Sequence, residues 1–254
     1  SYGKTSKPLV INADKTIRLS CIFFPTLLMK EDQCLISVAD LSIFLTNNGI
    51  LKFSTKWGVI ELPNRVSERN WYKVEGRITL SGKIGINYEE LGLRKRKFEA
   101  ISKGAIVKSL NSISLLTVAA KLENGVAKKH FNGKIEAPVI LVDDLILANW
   151  DFSRGMKTTE IPGGDFPELL LINFPTRAVK SSMWDGSEMN WTYKPQHYAS
   201  VHFHEDDIYD FGWDTDFTFE IPKQMVSGIY LMRIKCDGNA DAIPFFVCPP
   251  IGER

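Results

Sequence analysis

The sequence predicts an all-β protein, because hydrophobic and polar residues alternate with a period of two along much of its length. The alternation is clearest in residues 17–23, 72–79 and 230–236. It places one face of each strand on a core and the other in water. Helical periodicity over eleven or more residues is hard to find. Residues 113–122 are ambiguous, although their Thr117-Val118 pair favours a strand.

Turn chemistry supports the same fold class. Asn48-Gly49 separates the strand-like residues 41–46 from 50–55, and such a pair predicts a hairpin tip whose two central residues accept positive φ. Ser81-Gly82 predicts a second hairpin. We therefore expect residues 10–150 to form two packed sheets in a jelly roll.

Composition excludes several classes of partner. The 254 residues include 44% hydrophobic residues, enough for a substantial core, and 31 basic against 30 acidic residues give a net charge of +1. This balance provides no long-range attraction to nucleic acid or to an anionic membrane. The basic run 94–97 is interpreted as a solvated loop or strand end rather than a polyanion patch. The apolar stretch 21–29 is interrupted by Pro25 and too short to span a bilayer, so neither nucleic acid nor membrane is expected as a partner.

The four cysteines also limit the possibilities. Cys21, Cys34, Cys236 and Cys248 form no C-x-x-C pair, which gives no support to a zinc ribbon or a thioredoxin-like site. Each lies in an apolar, strand-like context, so reduced core cysteines are expected. Reduced cysteines are typical of a cytoplasmic protein.

A domain boundary is expected near residues 150–165. Residues 158–167 are rich in Gly, Pro and Thr and read as a connection. The predicted first domain covers residues 1–152, and the second, a smaller β-sandwich-like domain, covers residues 153–254. Trp150 closes an apolar run just before the connection, so we expect it to be buried and to anchor the two parts together.

The first domain carries a pattern of its own. A strand that opens with Trp71 leads into a hairpin, and Phe131-Asn132-Gly133-Lys134-Ile135 follows near the end. This pattern resembles the concanavalin-A-like, laminin-G-like jelly roll. The resemblance implies a domain that binds sugars, binds proteins or braces an enzyme. Trp184, Trp191 and Trp213 are candidates for a binding surface, with core or interface packing as the structural alternative.

One segment stands out as a candidate site. No standard nucleophile, zincin, phosphate-loop or dinucleotide motif occurs, and the chain has only four histidines. Two of them, His202 and His204, are spaced so that a strand places both on one face. With the acidic residues that follow, they could hold a transition metal, brace a loop through hydrogen bonds, or line the rim of a site. We expect a hydrogen-bonded cluster and no metal. The binding or rim candidates are His202, His204, Asp206, Asp207, Tyr209 and Trp213.

The same segment carries a second resemblance. Residues 202–217 are similar to a segment of the large (beta) subunit of the N,N-dimethylformamidase family. Further matches are Trp150-Asp151-Phe152-Ser153, Asn173, Pro175, Arg177-Ala178, Trp184-Asp185-Gly186, Pro222, residues 227–230, Asp237-Gly238 and residues 243–247.

That family implies a formamide C–N hydrolase built from large and small subunits, with a mononuclear iron held by two tyrosines and a glutamate of a C-terminal domain. We expect that domain to begin after Arg254, so the catalytic residues and the iron are expected outside this chain. The chain would then be a non-catalytic N-terminal part with scaffolding, subunit-contact and site-rim roles. Its expected partners are the catalytic part of the same subunit, a small (alpha) subunit and a small amide substrate, in a hetero-oligomer.

Two alternatives stay open. A laminin-G-like module that binds carbohydrate or protein without enzymatic activity would also fit the sequence. A self-contained metalloenzyme built on His202 and His204 is less well supported, because no third ligand is evident.

Overall fold

The computed structural model of the chain describes residues 1–28, 31–92, 95–103, 107, 109, 111–205, 212–250 and 252. The chain divides into two compact units, Ser1–Asp207 and Ile208–Arg254. The strands of the first unit are β1 (Tyr2–Thr5), β2 (Leu9–Ile11), β3 (Thr16–Pro25), β4 (Gln33–Val38), β5 (Leu41–Leu45), β6 (Ile50–Thr55), β7 (Gly58–Arg65), β8 (Trp71–Thr79), β9 (Lys83–Leu91), β10 (Lys97–Lys103), β11 (Ser112–Ser114), β12 (Leu116–Val118), β13 (Lys121–Glu123), β14 (Val126–Lys128), β15 (Gly133–Val142), β16 (Leu145–Asn149), β17 (Glu160–Ile161), β18 (Leu169–Ile172), β19 (Thr176–Val179) and β20 (Ser200–Phe203). A 3₁₀ turn, Pro195–Tyr198, precedes β20.

Two eight-stranded antiparallel sheets make up the first unit. Sheet I has the order β17-β18-β1-β12-β4-β5-β6-β7, and sheet II has the order β10-β9-β8-β3-β15-β20-β19, with β16 paired to β15. Two short pairs, β2–β11 and β13–β14, lie outside these sheets. The expected all-β sandwich is confirmed. The ambiguous residues 113–122 fall largely in the short strands β11, β12 and β13, and Thr117-Val118 lies in β12 as that pair favoured.

The core lies between the two sheets, as the alternation predicts. Leu19, Phe23 and Val74 of sheet II and Ile43 and Phe53 of sheet I belong to one apolar cluster, and each is fully buried. Because successive side chains of a strand point to opposite faces, polar residues between them face outward.

Both predicted hairpins occur. Ser81-Gly82 joins β8 to β9, and the Gly82 N–H donates to the Thr79 carbonyl at 2.9 Å. Asn48-Gly49 joins β5 to β6, with a 2.9 Å bond from the Gly49 N–H to the Thr46 carbonyl. Only Gly49 of that pair has positive φ, 73°. The turn is therefore a longer loop than the two-residue form that the sequence suggested.

Gly133 explains the F-x-G pattern. Its φ is +149°, and a Cβ built there would lie 2.3 Å from the Phe24 carbonyl oxygen and 2.7 Å from the Phe131 ring. Gly133 is the first residue of β15 and faces both Pro25 of β3 and Phe203 of β20. Only glycine lets β15 enter the sheet this close to β3.

The structure differs from the boundary expected at residue 152. β17 and β18 extend sheet I, while β19 and β20 extend sheet II, so residues 153–205 complete the first sandwich instead of starting a second. Residues 150–159 carry the chain from sheet II to sheet I within one unit, and the Gly- and Pro-rich residues 162–167 form the turn between β17 and β18 of sheet I. Local alternation predicts that a strand exists, whereas the sheet it joins depends on pairing with residues far away in sequence.

Arg177 holds this connection in place. Its guanidinium donates to the carbonyl oxygens of Phe152 (3.2 Å), Arg154 (2.8 Å), Gly155 (3.2 Å) and Thr158 (3.0 Å). Charged donors make stronger hydrogen bonds than neutral ones. One side chain therefore satisfies four backbone carbonyl oxygens of a loop that is not paired with a strand.

The described part of the second unit contains one hairpin, β21 (Gly228–Cys236) and β22 (Asn239–Val247). Its two-residue turn, Asp237-Gly238, has φ values of 47° and 83°. Both values match the type I′ turn that favours an Asp-Gly pair. The smaller β domain expected at residues 153–254 is thus represented, among the described residues, by this hairpin.

The cysteines divide into two pairs. Cys21 and Cys34 are buried and free, and burial raises the pKa of the Cys34 thiol to about 12. Cys236 and Cys248 are exposed, so the expected core location is wrong for them. The reason is that strand-like alternation cannot show whether a strand is covered. Among the described residues of the basic run, Lys95, Arg96 and Lys97 are exposed, as a solvated strand end requires.

Candidate functional site

The histidine pair lies at the end of β20. This strand runs between β15 and β19, with His202 opposite Lys134 on one side and Thr176 on the other. Val201 and Phe203 are fully buried in the core. The imidazoles of His202 and His204 are partly exposed on the other face, with ring centroids 5.9 Å apart and planes inclined at 77°. The predicted placement of all four side chains is confirmed.

Two buried amides fix the strand end. The Glu205 N–H donates to the Asn132 Oδ1 at 2.9 Å, and the Asn132 N–H donates to the Gln33 Oε1 at 2.8 Å. The Gln33 Nε2 then donates to the Leu27 carbonyl at 3.0 Å. Asn132 is 3% exposed and Gln33 is 1% exposed, so this chain of bonds runs through the interior. It fixes the backbone of Glu205 against the sandwich.

Not every predicted rim residue can be placed. Asp206, Asp207 and Tyr209 lie outside the described residues. Trp213 belongs to the second unit and is 81% exposed. Of the predicted set, His202 and His204 are the two that the first unit brings together.

A cleft opens beside the strand end. Its volume is about 490 Å³, and it is lined by Leu28, Glu31, Asp32, Gln33, Lys129, His130 and Glu205. The His130 ring packs edge-on to Tyr2 with centroids 5.9 Å apart. Three carboxylates, an amine and an imidazole suit a polar ligand or a polar protein surface.

Apart from Glu205, which is one of the acidic residues after the histidine pair, the sequence did not indicate the residues of this cleft. His130 directly precedes the F-x-G pattern, and that adjacency was the one available signal for it. Glu31 and Asp32 precede β4 and Lys129 follows β14, so all three are far from residue 205 in sequence and no local pattern connects them to it.

The described residues do not fit a metal ion. No group of three or more His, Cys, Asp or Glu side chains among them is placed to hold one. The histidine pair alone supplies two ligands where zinc or iron sites need more. Among the described residues, the iron implied by the resemblance therefore has no ligand set.

A second polar cluster covers the outer face of sheet II beside β20. The Lys180 ammonium lies 3.6 Å from the centroid of a Trp184 ring, and the His197 Nδ1 lies 3.4 Å from the Asp185 carboxylate. Hydrogen bonds from Ser187 hold the pKa of Asp185 down at about 2. Lys180 and Trp184 are thus occupied with each other, which favours packing over an open binding platform.

Glu136 is buried beneath this cluster. It is 5% exposed, and its carboxylate accepts hydrogen bonds from the Ser182 N–H at 3.1 Å and from the Ser182 hydroxyl. Burial raises the pKa of the Glu136 carboxyl above its usual range, although both Ser182 bonds oppose that shift. The loop that begins at Ser181 is therefore fastened to the sandwich by a carboxylate that pays a desolvation cost when ionised.

Glu136→Gln is expected to change the pH dependence of stability. Because the folded-state pKa is raised, the wild-type free energy of unfolding should fall as pH rises from the usual carboxyl range through the raised pKa. The glutamine cannot ionise, so the free energy of unfolding of the variant should not fall in this way. The difference between variant and wild type should therefore grow in favour of the variant between about pH 4.5 and pH 8. Urea unfolding across this range measures the difference, with Glu61→Gln on an exposed position as control. Parallel curves for all three proteins would show that Glu136 is not desolvated.

Comparison with known proteins places this geometry in context. Residues 176–254 match the family model described as "N,N-dimethylformamidase beta subunit-like, C-terminal". The chain is 33% identical over 184 residues to the N,N-dimethylformamidase beta subunit of Alcaligenes sp, which covers 60% of this chain and 24% of that protein. It is related to N,N-dimethylformamidase beta subunits. The beta subunit from Paracoccus aminophilus is 35% identical over 149 residues, covering 49% of this chain and 20% of that protein.

The relationship to N,N-dimethylformamidase beta subunits bears on the candidate site in two ways. The chain spans about a quarter of the length of these relatives. The matched residues 176–254 include His202, His204 and the hairpin β21–β22. The part that the family model describes as C-terminal thus already begins within this chain, whereas the sequence argument expected it only after Arg254.

Solved structures resemble the chain more distantly than the beta subunits do. A pentraxin from Limulus polyphemus aligns with a TM-score of 0.41 and 9% identity, over 55% of this chain and 68% of that one. A putative carbohydrate-binding protein from Bacteroides ovatus aligns with a TM-score of 0.45 and 10% identity, over 69% and 60%. The sandwich architecture itself follows from the strand pairing described above.

Among the described residues, no helix is long and apolar enough to cross a membrane.

Proposed function

We propose that this chain is a non-catalytic part of the large subunit of an amide hydrolase that cleaves the C–N bond of small formamides such as N,N-dimethylformamide. The observation that carries the proposal is the 33% identity over 184 residues to an N,N-dimethylformamidase beta subunit. The resemblance of residues 202–217, in a segment that the family model also matches, adds to it.

The catalytic groups belong, in this proposal, to the remainder of the large subunit. The described residues hold no metal-ligand cluster, and their histidine pair lies 5.9 Å apart without a third ligand. The iron implied by the resemblance would be held elsewhere in the large subunit. A small subunit would complete a hetero-oligomer in the cytoplasm.

The role of this chain is to present a fixed polar surface. Val201 and Phe203 lock β20 into the core, and Asn132 and Gln33 fix its end through buried hydrogen bonds. Functional groups on rigid strands keep their positions better than groups on free loops. The His202–His204 face and the neighbouring cleft would therefore form the site rim and contact other parts of the enzyme.

Replacing both histidines with alanine tests this role in the assembled enzyme. His202→Ala/His204→Ala is expected to lower kcat/KM for N,N-dimethylformamide, or the affinity between subunits, by about tenfold or more, equal to about 1.4 kcal/mol. Lys83→Ala is the matched control, because Lys83 is exposed on the same sheet at the opposite end of its strands. Thermal melts establish that each variant is folded.

The rim assignment fails if the double variant assembles and turns over like wild type. It also fails if Lys83→Ala reduces both quantities to the same extent, since the effect would then not be specific to the histidine face.

A further inference from the structure

Both faces of the hairpin β21–β22 are apolar. One face carries Tyr230, Met232 and Ile234 opposite Phe245, Ile243 and Asp241, and the other carries Ile229 and Leu231 opposite Phe246 and Pro244. Ile229 is 74% exposed, Leu231 68% and Phe246 67%. A strand pair with one face in water shows alternation between apolar and polar residues, and apolar residues on both faces are typical of strands covered on both sides. A lone two-stranded hairpin is only marginally stable in water.

The two edges of the hairpin differ. The two-residue turn makes Cys236 and Asn239 a hydrogen-bonded pair, so alternate pairs, including Leu231 with Pro244, turn their backbone groups outward. Pro244 has no N–H, and the outer edge of β22 therefore lacks a donor at its centre. The outer edge of β21 keeps a complete set of donors and acceptors, so it is the edge suited to a further strand.

On the face that carries Ile229 and Leu231, the apolar surface is confined to one half of the hairpin. Towards the turn, Arg233 and Lys235 of β21 are exposed on the face that carries Ile229 and Leu231. A covering layer on that face would thus lie over the Gly228–Val247 half and leave the turn in water.

We propose that this hairpin is an interior strand pair of a larger sheet, covered by further residues of the same polypeptide that add a strand along β21. The proposal rests on the proposed function, in which this chain is part of a large subunit. The N,N-dimethylformamidase beta subunit of Alcaligenes sp is about four times as long as the segment that it shares with this chain. The family match spans residues 176–254 and so includes the hairpin. Permanent burial of bulky aliphatic and aromatic side chains is typical of a domain core, whereas transient subunit contacts are more polar.

Hydrogen–deuterium exchange tests the proposal on two proteins, the 254-residue chain and the longest polypeptide that its gene encodes. Amides of Ile229, Leu231 and Arg233 are expected to exchange quickly in the first and about 100-fold more slowly in the second. In the longer polypeptide, Leu231→Lys should lower the melting temperature. Lys235→Gln, on the same strand and face, should leave it unchanged.

Protection of these amides already in the 254-residue chain would overturn the proposal, and so would a gene product no longer than this chain. Protection that rises with protein concentration would instead indicate a second copy of the chain, and protection that requires an added small subunit would indicate that subunit as the cover. Either of these two results would also overturn the proposal. Amide hydrolysis is read out separately. A longer polypeptide that protects the hairpin but cleaves no formamide would support this proposal and reject the proposed function.

Discussion

Trp150→Ala is expected to lower the free energy of unfolding of the sandwich by about 3–5 kcal/mol, the usual cost of removing a fully buried tryptophan. Trp150 is 1% exposed and belongs to the core cluster. Its indole N–H donates to the Pro167 carbonyl at 2.9 Å. The side chain therefore joins the end of sheet II to the turn between β17 and β18 of sheet I, and its loss affects both the core and that turn.

Urea unfolding of Trp150→Ala and Trp150→Phe separates these two contributions. The phenylalanine keeps much of the apolar volume but loses the hydrogen bond, which contributes about 1 kcal/mol. It should consequently destabilise less than alanine. Trp184→Ala, at a half-buried position on the outer face, is the control. It should lower the free energy of unfolding by less than Trp150→Ala does. A Trp150→Ala midpoint equal to wild type would rule out the anchoring role.

The sequence was informative wherever one residue type is physically required. Alternation located β3 and β8 because a sandwich strand must bury every second side chain. It also located β21, which lies outside the sandwich. The F-x-G pattern pointed to Gly133, whose backbone conformation and contact with Phe24 exclude any larger residue. Trp150 was correctly expected to be buried, because a bulky aromatic that closes an apolar strand is well placed for a core.

Long-range pairing was not accessible in this way. The sequence could not show that β18 pairs with β1 and that β20 pairs with β15, and so it placed a domain boundary inside a single sandwich. The same limitation hid the cleft, where Asp32, His130 and Glu205 meet from three distant parts of the chain. Turn geometry was predicted only in part, since Asn48-Gly49 marks the hairpin but lacks positive φ at Asn48.

The candidate site, like the fold, was predictable from the sequence only in part. His202 and His204 were found because two residues of like chemistry at a spacing of two share one face of a strand. Their anchoring through Asn132 and Gln33 depends on tertiary contacts that no motif encodes.

We propose that this chain supplies a rigid polar rim and that the catalytic groups lie elsewhere in the large subunit. The release of dimethylamine from N,N-dimethylformamide tests this proposal most directly. The purified 254-residue chain, with its metal content measured, is assayed beside an assembly of the complete large and small subunits. The account predicts turnover by the assembly and none above the buffer background for the isolated chain. Turnover by the isolated chain would contradict it, since the catalytic groups would then lie within these 254 residues.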